Sequence, residues 1–183
     1  MRSNRCRFSL LLIAGVAAMT IGVNAMAAES FETLATSASK PVALGAGPVT
    51  VTLAPAPGNV ASLSARLASV RQDRKVYLVL RGLSTNEQPG VVYQIYLGLP
   101  QGVAPKPDGP YYVGSLNFFN AMSGGTEPAR PDQRFYSFDV TDLLKTLQSR
   151  KSLGDAVAVT IVPAGKPSAG AKPMIGEIAL VEQ

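Results

Sequence analysis

From Lys75 onward the chain is cut into short, apolar, β-branched runs, each closed off by glycine and proline. The runs are 76–80, 91–97, 111–119, 135–140, 156–162 and 174–181. Runs of this length with turn residues at both ends are strands, because side chains alternate between two faces and Gly/Pro clusters stop the ladder. Val91, Tyr93, Ile95 and Leu97 share one face of the second run, whereas residues 76–80 are apolar on both faces, as in a strand covered on both sides. No strand–helix–strand rhythm and no internal repeat accompanies them, so a parallel sheet and a solenoid are both excluded. The expected fold is all-β, a jelly-roll-like β-sandwich with one short helix. Thr141 is placed to cap that helix and Asp142 lies at its positive end. Leu143, Leu144 and Leu147 would then pack on the sheet, with Lys145 and Gln148 facing water.

The first 27 residues read differently. Arg2, Arg5 and Arg7 precede an apolar run of 16 residues, 8–23, and Ala25 and Ala27 make an A-x-A cleavage site. This is the pattern of a secretory signal peptide cut after Ala27, and the run is short of the ~20 residues that span a bilayer. The expectation is a periplasmic or secreted protein with no retained membrane anchor. Cleavage removes three arginines and no acidic residue, so the formal charge falls from +5 to +2. A balance so near zero gives no basic face for nucleic acid. Residues 28–60 are expected to form a flexible lead-in holding one short strand, 49–53, before Pro55 and Pro57, and residues 61–183 form the domain. Leu63, Leu67 and Val70 suit one face of a helix, while Leu63, Ala65 and Leu67 suit a strand; the pattern leaves both open.

The residue inventory excludes most catalytic chemistry. The chain has no His and one Cys, and Cys6 departs with the signal segment. A Ser-His-Asp triad, a Cys-His pair, a His-ligated zinc or copper and an internal disulfide are all ruled out. Met122 and Met174 remain as soft ligands, too few to carry copper. The tetrad from Ser37 to Lys40 fits the S-x-x-K pattern, but Pro41 follows at once and the companion motifs are missing. Gly45-Ala46-Gly47 lacks the third glycine and the strand–turn–helix context of a dinucleotide loop. The acidic residues are scattered; Asp139 and Asp142 read as helix-start residues and Asp73, Asp108, Glu127 and Asp132 as turn residues, not an acid/base pair. The protein is expected not to be an enzyme and to need no metal or cofactor.

Two long loops, 99–110 and 120–133, border a cluster of aromatics. Long loops without structure of their own are often functional. In the doublets Tyr111-Tyr112 and Phe118-Phe119 at least one ring must lie outside the core if the strand alternates. Phe118, Phe119, Tyr111 and Tyr112 are the candidate contact residues.

The same runs resemble the C-terminal domain of tyrosinases and polyphenol oxidases. The points of contact are Val76-Tyr77-Leu78-Val79-Leu80-Arg81-Gly82-Leu83, Tyr93-Gln94-Ile95-Tyr96-Leu97, Tyr111-Tyr112-Val113-Gly114-Ser115-Leu116-Asn117-Phe118-Phe119, Phe138-Asp139-Val140-Thr141-Asp142-Leu143-Leu144, Val157-Ala158-Val159-Thr160-Ile161-Val162-Pro163 and Ile175-Gly176-Glu177-Ile178. They fall in order across residues 75–182. One departure is Gln94, which stands where the plant enzymes carry an acidic residue. In that family a jelly-roll-like domain folds over a copper site held by six His on a separate catalytic domain, and one bulky loop side chain plugs the substrate entrance. The resemblance implies a secreted accessory domain that covers, chaperones or inhibits a tyrosinase-like type 3 copper oxidase in trans, with Phe118 or Phe119 as plug and Tyr111 and Tyr112 as second choices. The competing expectation is an exported β-sandwich module that binds a glycan or a cell-surface partner.

Overall fold

A computed structural model of the chain describes residues 31–37, 40–58, 61–119, 121–122 and 135–183. The expected signal peptide lies outside the described residues, as does most of the 120–133 loop.

Among the described residues ten strands are formed: β1 Glu32–Thr36, β2 Val42–Ala43, β3 Val49–Pro55, β4 Val76–Arg81, β5 Tyr93–Leu97, β6 Tyr112–Leu116, β7 Phe135–Asp139, β8 Val157–Pro163, β9 Met174–Ile175 and β10 Glu177–Glu182. Every one of their pairings is antiparallel. The first pairs with the last, β2 with β9, β3 with β8, β4 with β7 and β5 with β6. The chain is thus one long hairpin, wound so that β10 also pairs with β4 and β8 with β5. A wound hairpin of this kind is a jelly roll, and its all-β character follows from the punctuated strand runs.

Eight of the strands form one sheet in the order β6-β5-β8-β3-β1-β10-β4-β7. Its weak point is β1–β3, joined only through Ala35↔Pro55 and Thr36↔Ala54. There the sheet folds into two four-stranded layers over a shared core. Leu34, Leu78, Leu80, Ile95, Leu97, Val159, Ile161, Ile178 and Leu180 fill it, each fully or almost fully buried. Burying each such side chain is worth about 1.5–3 kcal/mol. The free edges, β6 and β7, approach each other where the Phe138 ring lies against Gly114, with no room there for a Cβ.

Several expectations are corrected. Residues 32–36 are not a lead-in but an inner strand of the sheet, with Leu34 and Ala35 fully buried between β3 and β10. A short run with only two apolar residues becomes a strand because both neighbours supply ladder partners. Among the described residues there are two helices, where one was expected. The undecided segment is α1, Leu63–Ser69; the Ser62 hydroxyl accepts from Ala65 N–H at 3.2 Å and Leu63 anchors it in the core. The second helix, α2, is Thr141–Ser149, and Leu144 and Leu147 are buried as expected. Thr141 does not cap it. Val140 holds the cap position, and the Thr141 hydroxyl donates to Asp139 Oδ1 (2.7 Å) and accepts from Val76 N–H (2.9 Å). Nor does Gln148 simply face water, since its Nε2 donates to Ser64 O at 3.2 Å and ties α2 to α1. The Ser37 hydroxyl of the S-x-x-K tetrad accepts from Ile178 N–H at 3.1 Å and so extends the sheet.

Candidate functional site: a phenylalanine displayed on a braced turn

Strand β6 stops at Leu116, so the Phe118-Phe119 doublet lies beyond it, in a turn. The two rings part company there. Phe118 is 1% exposed and packs edge-on against Tyr93, ring centroids 5.6 Å apart. Phe119 is 71% exposed. Of the pair, Phe118 is therefore core and Phe119 is the ring available for contact. Tyr111 and Tyr112 are both half-buried; Tyr111 packs against the core and Tyr112 lies 5.6 Å from the Tyr96 ring.

Phe119 stands on a turn held at several points. The Asn117 side chain accepts from Phe119 N–H at 3.1 Å. Gln88 Nε2 donates to the carbonyls of both Phe118 and Phe119, each at 3.1 Å. The Tyr136 hydroxyl clasps Asn117 from β7, donating to its carbonyl at 3.2 Å and accepting from its N–H at 3.3 Å. Ala121 N–H closes back on Phe118 O at 3.0 Å, and Thr85 N–H reaches Ala121 O at 2.9 Å. Met122, 45% exposed, follows and bridges to Thr85. A large apolar ring left in water on a backbone this well held loses little entropy on binding. Large exposed rings of this kind are typical anchors of protein contacts.

Among the described residues no three His, Cys, Asp or Glu side chains gather closely enough to hold a metal ion. Burial pushes the Tyr93 hydroxyl above the usual phenol range, and that hydroxyl has no hydrogen-bond partner among the described residues. Tyr96 is pushed the same way, by burial first and then by Tyr112 and Asp108 nearby. Its hydroxyl donates to Gln94 Oε1 at 2.8 Å. The other long loop, 99–110, borders a cleft of about 380 Å³ that includes Tyr96, Val103, Pro110 and Tyr111. Phe118, Phe119, Tyr111 and Tyr112 are all candidates from the sequence, which offers nothing to separate Phe119 from the others or to point to its braces. Gln88 and Tyr136 are distant in sequence, and only the β4–β7 and β5–β6 pairings bring their neighbourhoods together.

The fold and site define an all-β jelly-roll domain that presents one fixed aromatic at the end of a strand. The chain belongs to the family described as "Domain of unknown function (DUF7868)", whose model matches residues 30–183. None of the curated proteins matches it. Among solved structures it is similar to latent apple tyrosinase, with 20% identity and a TM-score of 0.47 over 78% of this chain and 27% of that one. It is also similar to latent aurone synthase, a polyphenol oxidase, recombinantly expressed, with 17% identity and a TM-score of 0.46 over 76% of this chain and 25% of that one. The chain thus spans about a quarter of the length of those proteins.

Proposed function

We propose that this is an exported, non-catalytic accessory domain that binds a tyrosinase-like type 3 copper oxidase in trans and covers its substrate entrance. The observation that carries the reading is Phe119, an exposed ring on a turn fixed by Asn117, Gln88 and Tyr136. The six sequence segments that resemble the C-terminal domains of tyrosinases support it. So does the complete lack of His, which leaves the chain without the ligands of a copper centre. In this reading Phe119 enters the partner's cavity, and the braced turn keeps it from folding back onto its own domain.

The test is direct. The purified protein is mixed with a tyrosinase-like oxidase from the same source, and catechol oxidation is followed. Binding at micromolar concentration with slowed oxidation is the expected result, and Phe119→Ala should relieve the inhibition. An oxidase that stays fully active and does not bind overturns the proposal.

A second reading rests on Tyr111, which lines the cleft beside the proline-rich loop. There the domain grips a glycan or a cell-surface partner. A glycan array separates the two: Tyr111→Ala should abolish a glycan signal that Phe119→Ala leaves intact.

A further inference from the structure

The sheet half β1-β10-β4-β7 is apolar on both faces. Leu78, Leu80, Ile178 and Leu180 point into the core, so the alternate residues Tyr77, Val79, Ala179 and Val181 lie on the outer face, where they form a separate small cluster. A soluble antiparallel sheet normally makes that face polar. Here Val79, Ala179 and Val181 are themselves almost fully buried, and Tyr77, Val79 and Val181 line a groove of about 500 Å³. Phe31 and Phe135 border the groove and are 64% and 55% exposed, and Tyr77 lies between β10 and β7 on its floor. The size and the aromatic lining are those of a small-molecule site.

One charge is built into this groove. Arg81 is exposed, lines the groove and sits directly opposite Phe135 in the β4–β7 register. Its neighbour on the other side is Glu177, but that carboxylate accepts from the Thr36 hydroxyl at 3.2 Å and forms no ion pair with Arg81. Among the described residues the guanidinium has no acidic partner. It is a permanently charged planar fork beside aromatic rings, suited to a carboxylate whose own body is flat and apolar.

We propose that this groove is a binding site for a small aromatic carboxylate. The ligand's ring is held between Tyr77, Phe31 and Phe135, and its carboxylate takes the Arg81 fork. The site is on the outer sheet face, so it stands or falls independently of the Phe119 turn.

The probe is 1-naphthoate, titrated into the ¹⁵N-labelled protein, with neutral 1-naphthamide as control. Saturable shifts should be confined to amides of β4, β7 and the end of β10. The amide should bind about tenfold more weakly, which is the usual worth of a charged hydrogen bond. Arg81→Gln should bring naphthoate down to the level of the amide, while Phe135→Ala should weaken both. Both positions are exposed, and an unchanged melting temperature verifies that each variant is folded. Equal affinity for the two probes, an unaffected Arg81→Gln variant, or shifts that never saturate would each overturn the assignment. So would concentration-dependent shifts of the same amides without ligand, because the groove would then be a contact between copies of the chain.

Discussion

Lys75 Nζ lies 2.9 Å from Asp139 Oδ2, and through that one carboxylate the start of β4 is tied to the entry of α2. The other oxygen, Oδ1, accepts from the Thr141 N–H at 3.1 Å and from the Thr141 hydroxyl at 2.7 Å. Asp139→Ala should therefore cost about 1 kcal/mol in chemical denaturation, mostly through the lost turn bonds. Asp139→Asn keeps an acceptor for the turn and removes only the charge, so it isolates the pH dependence. The hydrogen bond from Lys75 holds the Asp139 carboxyl below the usual range against the opposing effect of burial, with Thr141 adding to it. That stability is present above the unfolded carboxyl value and is lost as pH falls through the folded one, below about pH 4. The same bond raises Lys75, whose contribution is complete below the unfolded amine value and lost as pH climbs through the folded one, above about pH 10. The wild type should lose stability relative to Asp139→Asn at both extremes; a constant difference across that range sinks the account.

How far this could be read from the residues depends on where the signal lay. The strands from Val76 onward were largely legible because β-branched runs between glycines and prolines have few alternatives, but the run 111–119 stops at Leu116 and the run 174–181 divides into β9 and β10, which belong to different sheets. The first strand was not. Glu32–Thr36 has only Leu34 and Ala35 as apolar residues, and it becomes an inner strand through hydrogen bonds to Glu177–Glu182, far along the chain. At Phe118-Phe119 one ring is indeed outside the core, but strand alternation is not the cause. The rings separate because the chain has left the strand and turned, which only Gln88, Asn117 and Tyr136 together explain. The outer groove was half legible, in that residues 76–80 read as apolar on both faces, but the register that sets Arg81 beside Phe135 was not.

The approach of the free edges depends on a missing side chain. A Cβ on Gly114 would stand 2.6 Å from Phe138 Cε1 and 2.8 Å from its Cδ1. Gly114→Ala should destabilise the domain by about 1–3 kcal/mol, the usual cost of overpacking. Phe138→Leu should recover part of that loss in the double variant, since residues in contact do not add independently. Additive losses would show that β6 and β7 are not in contact there.

The Tyr136 hydroxyl should matter to the turn more than to the fold. Tyr136→Phe keeps the ring, which stacks on Phe138 with centroids 6.1 Å apart, and removes the clasp on Asn117. The expected global cost is about 0.5–1.5 kcal/mol. Amide exchange at Asn117, Phe119 and Ala121 should quicken beyond that global change, because local opening is governed by local bonds. Protection that falls uniformly across the sheet would remove the brace from the argument.

Adjacent phenylalanines should respond to truncation in opposite ways. Phe118 is buried against Tyr93 within the main core, so Phe118→Ala leaves a cavity and should cost about 3–5 kcal/mol. Phe119 has most of its ring in water and its backbone held by others, so Phe119→Ala should change stability by no more than about 0.5 kcal/mol. Urea titrations of the two variants read this contrast directly. The same pair then divides stability from contact in the oxidase assay: Phe119→Ala should keep its fold and lose binding, and a partly stable Phe118→Leu should keep both. If Phe119→Ala melts as early as Phe118→Ala, the ring is supporting the domain and is not free to enter a partner.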